Sequence, residues 1–211
     1  MTDEEKSDST DRPTPDQGAV VVAAVLFEGG LAPLALAIGR LVGQPPLEGF
    51  TWSIRDAFLG VLAALPMYAA FQVLMRWRIG PLDRIRRFFE AELTPLLGSR
   101  PDADLALIAL AAGVGEEMLF RGVLQGGLAH WLGTWEGLVA ASLLFGLLHP
   151  ITTTYVLVAG LLGAYLGAVW IFSGNLLVVM IAHALYDFLA LRTLLRGRVL
   201  ATPAADRQIP S

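Results

Sequence analysis

Long apolar runs alternate with short polar breaks along most of the chain. Crossing a hydrocarbon core about 30 Å thick takes roughly 20 apolar residues in a helix, and nothing resembles the alternating ten-residue segments of a membrane barrel. The pattern predicts an all-α polytopic membrane protein, a bundle of about six transmembrane helices. The predicted spans cover residues 19–42, 55–76, 103–129, 135–149, 154–173 and 175–196.

One segment between the second and third spans has a different pattern. In LDRIRRFFEAELTPLLG, residues 82–98, apolar and charged side chains sort onto opposite helix faces. The segment is too short and too charged to span, so it predicts one interfacial helix whose arginines lie at anionic headgroups of the lipid bilayer.

Composition excludes an ordinary soluble domain, because 55% of the 211 residues are hydrophobic and only 16% are charged. The absence of cysteine excludes disulfides, thiolate metal sites and a cysteine nucleophile. Residues 1–18 contain six acids and two bases and carry the whole net charge of −4, which predicts a disordered acidic tail. We expect a membrane domain over 19–198, a flexible tail over 199–211, and no nucleic-acid partner.

Ionisable side chains at membrane depth each cost roughly 2.5 to 3.5 kcal/mol on insertion, so each needs a reason. Glu117 and Arg121 are four residues apart and can pair within the third helix. Glu116 is turned about 100° away and has no such partner. Glu28 is expected to reach from the first span toward the headgroups rather than to act as a gate.

Two histidine motifs follow on later helices. FGLLHP places His149 four residues after Phe145, and HALYDF places Asp187 four residues after His183. A shared hydrated pocket can satisfy polar groups that lipid cannot. We therefore expect Glu116, His149 and His183 to converge on one polar cavity that opens toward the cytoplasm. A glutamate with two histidines can hold and deprotonate a water, either directly or through a metal.

Other intramembrane hydrolase patterns are absent. The chain has no H-E-x-x-H, no G-x-S-G and only one membrane-embedded aspartate, where an aspartyl dyad needs two.

The motifs EEMLFR, FGLLH and HALYD resemble the E-E-x-x-x-R, F-x-x-x-H and H-x-x-x-N/D motifs of the CPBP (Abi) family. This family includes type II CAAX prenyl endopeptidases and bacteriocin-processing or immunity proteins. The resemblance implies an intramembrane endopeptidase of a bacterial inner membrane that acts on a peptide or a membrane protein. The natural substrate, and whether it is prenylated, stay open.

The resemblance also implies roles for individual residues. Glu116 and His149 would activate the attacking water, and Glu117 and Arg121 would help position the site. His183 and Asp187 would stabilise the oxyanion or help to bind a metal. A divalent ion, zinc by preference, would be held by Glu116, His149 and His183, and a metal-free glutamate mechanism is equally open.

Two other functions are compatible with the same residues. A non-catalytic family member, acting as a scaffold or immunity protein, would keep the fold and tolerate loss of Glu116. A transporter or proton relay would also use buried carboxylates and histidines, with broken helices permitted at Pro33, Pro66 and Pro150. The spans show no internal repeat, which ranks transport third.

Arginine distribution predicts the orientation. The 76–100 region holds six arginines and the C-terminal end holds four, whereas the turns at 130–134 and 173–174 hold none. Since basic loops stay cytoplasmic, six spans place both termini in the cytoplasm. Topology reporters fused after Arg87 and after Gly133 should therefore report opposite sides of the membrane. Signals from the same side would contradict the predicted helix count.

Overall fold

The structure, a computed structural model, describes residues 16–76, 80–98 and 100–197. All regular secondary structure in these residues is helical, which confirms the predicted all-α membrane fold. Three helices are α1 (Gln17–Val42), α2 (Ile54–Arg76) and the composite α3, which joins Gly80–Phe88, the π-helical Phe89–Leu93 and Thr94–Leu97. The composite α4 joins Asp102–Glu117, the π-helical Met118–Gln125 and Gly126–Leu132. The last three are α5 (Thr134–Leu147), α6 (Thr153–Ser173) and α7 (Leu176–Gly197).

The predicted tails fall almost entirely outside the described residues. Asp16 caps α1, its side chain accepting a hydrogen bond from the Gly18 amide at 2.9 Å, so Gln17 and Gly18 are helical. The predicted N-terminal tail of 1–18 therefore extends too far. The remainder of that tail and the predicted 199–211 tail lie outside the described residues, and their disorder stays a prediction.

Helix length and surface both fit a membrane protein. By length and composition, α1, α2, α6 and α7 are each able to cross a bilayer. Large apolar side chains such as Leu26, Phe27 and Leu161 are exposed on these helices, as expected of faces that contact lipid. By contrast, α5 has only 14 residues and α4 is interrupted by its π-helical stretch. The six-span topology stays a prediction.

The helix predicted at the membrane surface corresponds to α3. Within this helix, Ile85 is fully buried, whereas Arg84 and Arg87 are exposed. Arg86 donates hydrogen bonds to Asp83 at 2.6 Å and to Glu90 at 2.7 Å. This helix is therefore amphipathic, with one apolar face on the bundle and charges on the other.

Helices α4 and α7 form the centre of the bundle. Helix α4 packs against α1, α5 and α7, and α7 also packs along α2. At one end Asp102 of α4 accepts hydrogen bonds from Arg192, at 3.2 Å, and from Arg196, both on α7. Bonding from Arg196 lowers the pKa of the Asp102 carboxyl, so this pairing persists at neutral pH. Five of the six predicted site residues lie on these two helices.

Two glycines just before Glu116 let α4 approach its neighbours at backbone distance. A Cβ added at Gly113 would lie 2.8 Å from the Ala184 nitrogen of α7. One added at Gly115 would lie 2.1 Å from the Glu28 carbonyl oxygen of α1. Helices α1 and α7 therefore contact α4 immediately before Glu116 and Glu117, through residues 28 and 184.

Replacing Gly115 with alanine tests this packing. The added Cβ would push α1 away from α4, and we expect a loss of roughly 1–3 kcal/mol in the free energy of unfolding, the usual cost of overpacking. Gly30→Ala is the matched control on α1, because nothing lies within 4 Å of a Cβ added there. Thermal melting in detergent should distinguish the two, and equal melting temperatures would contradict the close contact.

Candidate active site

One cavity of about 280 Å³ brings the predicted polar residues together. It is lined by Glu116 of α4, by His149 just after α5, and by His183 and Asp187 of α7. The predicted convergence of the glutamate and the two histidines is therefore confirmed. Glu117 and Arg121 do not line the cavity and lie buried behind it, with 0% and 2% of their surface exposed.

Glu117 and Arg121 form the predicted pair and extend it to three other helices. Arg121 Nη1 donates to Glu117 Oε1 at 2.9 Å, and Nη2 donates to the Gly163 carbonyl of α6 at 2.9 Å. The guanidinium carbon also lies 4.9 Å from the centroid of the Phe145 ring of α5. The same Glu117 oxygen lies 2.7 Å from His183 Nδ1 of α7. This network therefore joins α4 to α5, α6 and α7.

His183 is held between two carboxylates. A carboxylate only accepts hydrogen bonds, so the contact with Glu117 requires His183 Nδ1 to carry a proton. On the other side of the ring, Nε2 lies 3.4 Å from Asp187 Oδ2. Asp187 lies one helical turn further along α7, as the i, i+4 spacing predicts. The ring orientation is thus set by residues on both sides.

The geometry of His149 defines the protonation of its ring. Nδ1 lies 2.7 Å from the Phe145 carbonyl oxygen, which can only accept, so Nδ1 carries the proton and a neutral ring presents an Nε2 lone pair. Nε2 lies 3.9 Å from Glu116 Oε2, which is longer than a hydrogen bond. That buried oxygen has no hydrogen-bond partner among the described residues. Two hydrogen-bond acceptor atoms therefore face each other at the cavity.

Comparison with known proteins bears directly on these residues. The family model for type II CAAX prenyl endopeptidase Rce1-like proteins matches residues 101–189, which contain all six predicted site residues. Uncharacterized protein YpbD of Bacillus subtilis (strain 168) is 30% identical over 144 residues, covering 64% of this chain and 69% of the relative. The chain belongs to the type II CAAX prenyl endopeptidase Rce1-like family. No solved structure matches the chain.

Membership of this family confirms the resemblance carried by the three motifs. The family is one of membrane proteases, and the apolar helices make this member an integral membrane protein. The roles of the individual residues, the metal and the orientation in the membrane stay predictions.

Glu28 is a cavity residue, so the expectation that it reaches toward the headgroups is wrong. Its side chain lines the same cavity as that of Glu116. One of its oxygens is buried and has no hydrogen-bond partner among the described residues. The close backbone contact with Gly115 brings this part of α1 against α4, beside Glu116.

Sequence reasoning missed two tyrosines that also line the cavity, Tyr155 of α6 and Tyr186 of α7. Tyrosine is common within apolar helices, so neither position carries a signal in the sequence. For Glu28 a signal did exist, because the residue lies well inside the first apolar run rather than at its end.

The predicted metal ligands do not form a preorganised metal site. Glu116, His149 and His183 share the cavity, but no three histidine, aspartate or glutamate side chains in the described ranges are placed to hold one ion. His183 Nδ1 is already engaged by Glu117. The donor set therefore does not fit a metal as it stands, and the zinc stays a prediction.

The two adjacent glutamates should behave differently when neutralised. Glu117→Gln weakens the bonding of the buried Arg121 and of His183 at once, and we expect a loss of roughly 3–5 kcal/mol, as for a broken buried ion pair. Glu116→Gln removes no such pair and should melt like the wild type. Folded yield and melting temperature in detergent measure both. Equal losses would mean that the two carboxylates have been assigned to the wrong roles.

Proposed function

We propose that this family member is an intramembrane endopeptidase that hydrolyses a peptide bond with a water held by Glu116 and His149. Family membership supports protease activity in general. The observation that carries the specific proposal is the buried, unpartnered Glu116 Oε2 facing His149 Nε2 across 3.9 Å.

Both atoms of that gap accept hydrogen bonds, so an O–H donor suits it. One water can contact both atoms, donating a proton to each and leaving its lone pairs directed into the cavity. Attack on a peptide carbonyl then transfers one water proton to the Glu116–His149 pair. This pair returns the proton to the leaving amine, which is the ordinary cycle of general base and general acid.

Glu117 and Arg121 act as positioning residues in this scheme. They touch neither water nor substrate, but Glu117 fixes the His183 ring at 2.7 Å. His183, with Asp187 at its other nitrogen, then lines the cavity on the α7 side. The network is thus a support for one wall of the site.

The side chains around the site favour a substrate with an apolar segment. Next to the cavity that contains Glu116 lies a groove of about 360 Å³ between α2 and α6 that is lined almost entirely by apolar side chains. The groove and the cavity share Met67, Phe71 and Leu74, so they are continuous. This shape suits a peptide or a membrane protein whose scissile bond lies beside large apolar residues. With the predicted orientation, the cleaved bond would be on the cytoplasmic side of the bilayer.

Cleavage of fluorescein-labelled casein by the purified protein in detergent tests the chemistry. Glu116→Gln and His149→Gln should each lower the rate by about 100-fold or more, in the range for loss of a general base, with unchanged melting temperature. His130→Gln is the matched control, because His130 packs against Trp131 and does not line the cavity. In parallel, membranes from cells with Glu116→Gln should accumulate an uncleaved precursor.

Equal cleavage by wild type and Glu116→Gln would contradict the proposal. If no precursor accumulates either, a non-catalytic scaffold role would replace it.

A further inference from the structure

The tyrosines of this chain divide into two groups by the state of their hydroxyls. Away from the cavity, the Tyr68 hydroxyl bonds Thr193 Oγ1 at 2.8 Å and the Tyr165 hydroxyl donates to the Ala63 carbonyl at 2.9 Å. Tyr155 and Tyr186 line the cavity, and their hydroxyls make no hydrogen bond to a described residue. Both side chains are only partly buried, so these two hydroxyls are free to donate to something that enters the cavity.

Hydrogen-bond donors are otherwise scarce in this cavity. Glu28, Glu116 and Asp187 contribute carboxyl groups, which only accept when ionised. His149 uses its Nδ1 proton on a backbone carbonyl, and His183 has a carboxylate oxygen facing each nitrogen. A peptide carbonyl oxygen that gains negative charge needs donors, and the phenols are the uncommitted neutral ones.

Tyr155 is better placed than Tyr186. The Tyr186 ring packs edge-on against Phe71 of α2, with 6.4 Å between the ring centroids, and not against a predicted site residue. The Tyr155 ring centroid lies 6.4 Å from that of His149. Its backbone is held in the first turn of α6, where the Tyr155 amide donates to Thr152 Oγ1 at 3.0 Å. Tyr155 therefore lies beside His149 at the cavity.

We propose that the Tyr155 hydroxyl is a further catalytic group, which donates a hydrogen bond to the carbonyl oxygen of the scissile peptide bond. This inference rests on the proposed function. As the water oxygen bonds to the carbonyl carbon, the π-electron pair moves onto the carbonyl oxygen, and Tyr155 stabilises that oxyanion. When the oxyanion collapses, the C–N bond breaks and the amine leaves with the proton that the Glu116–His149 pair took from the water. Tyr155 keeps its own proton throughout.

Tyr155→Phe removes the hydroxyl and keeps the ring, so it tests this role. For fluorescein-labelled casein we expect kcat to fall about 100-fold, the effect of losing one oxyanion donor, with KM and melting temperature unchanged. Tyr68→Phe is the matched control, because its hydroxyl bonds Thr193 outside the cavity, and it should keep the wild-type kcat.

A second variant tests the same role in case Tyr155→Phe is unstable. Incorporating 3,5-difluorotyrosine at position 155 keeps the ring and makes the hydroxyl more acidic. The alkaline limb of the kcat–pH profile should then move to lower pH, whereas a ring that only packs would leave the profile unchanged.

The outcomes separate this inference from the proposed function. Casein cleavage that is lost in Glu116→Gln but kept in full by Tyr155→Phe overturns the role of Tyr155 alone. Loss in Tyr186→Phe with full activity in Tyr155→Phe also overturns it and assigns the donor to Tyr186. Cleavage that is absent in the wild type, or that survives Glu116→Gln, overturns the proposed function and this inference with it.

Discussion

The buried guanidinium of Arg121 is the constraint from which the rest of the site follows. A charge in the middle of a membrane bundle costs several kcal/mol unless it is paired and hydrogen-bonded. Arg121 meets that requirement with Glu117, a backbone carbonyl of α6 and the face of Phe145. Glu117 also bonds His183. The carboxylate that pairs with Arg121 on α4 therefore also fixes the position of the His183 imidazole on α7.

The orientation of Glu116 is a consequence of the same pairing. Adjacent residues of a helix point about 100° apart, so turning Glu117 toward Arg121 turns Glu116 out of the network and into the cavity. There it faces His149, which lies just after α5 and is oriented by the Phe145 carbonyl. Two neighbouring glutamates thus have separate tasks, one in holding the bundle together and one facing the substrate.

The sequence predicts well what the bilayer itself dictates. Apolar runs locate the helices, the i, i+4 spacing pairs Glu117 with Arg121, and the cost of scattered polar groups brings Glu116 and the histidines together. What it does not predict is the rotation of each helix about its axis, because that depends on contacts between helices. The close approach of α1 to Gly115, the position of Glu28 at the cavity and the placement of Tyr155 all depend on this packing.

The most direct test of the site is an experimental structure in lipid or detergent at a resolution that shows ordered water. We expect one water within roughly 3.2 Å of both Glu116 Oε2 and His149 Nε2, with Glu117, Arg121 and His183 bonded behind it. A direct Glu116–His149 hydrogen bond that leaves no room for water, or a Glu116 side chain that points to lipid, would contradict the hydrolytic mechanism.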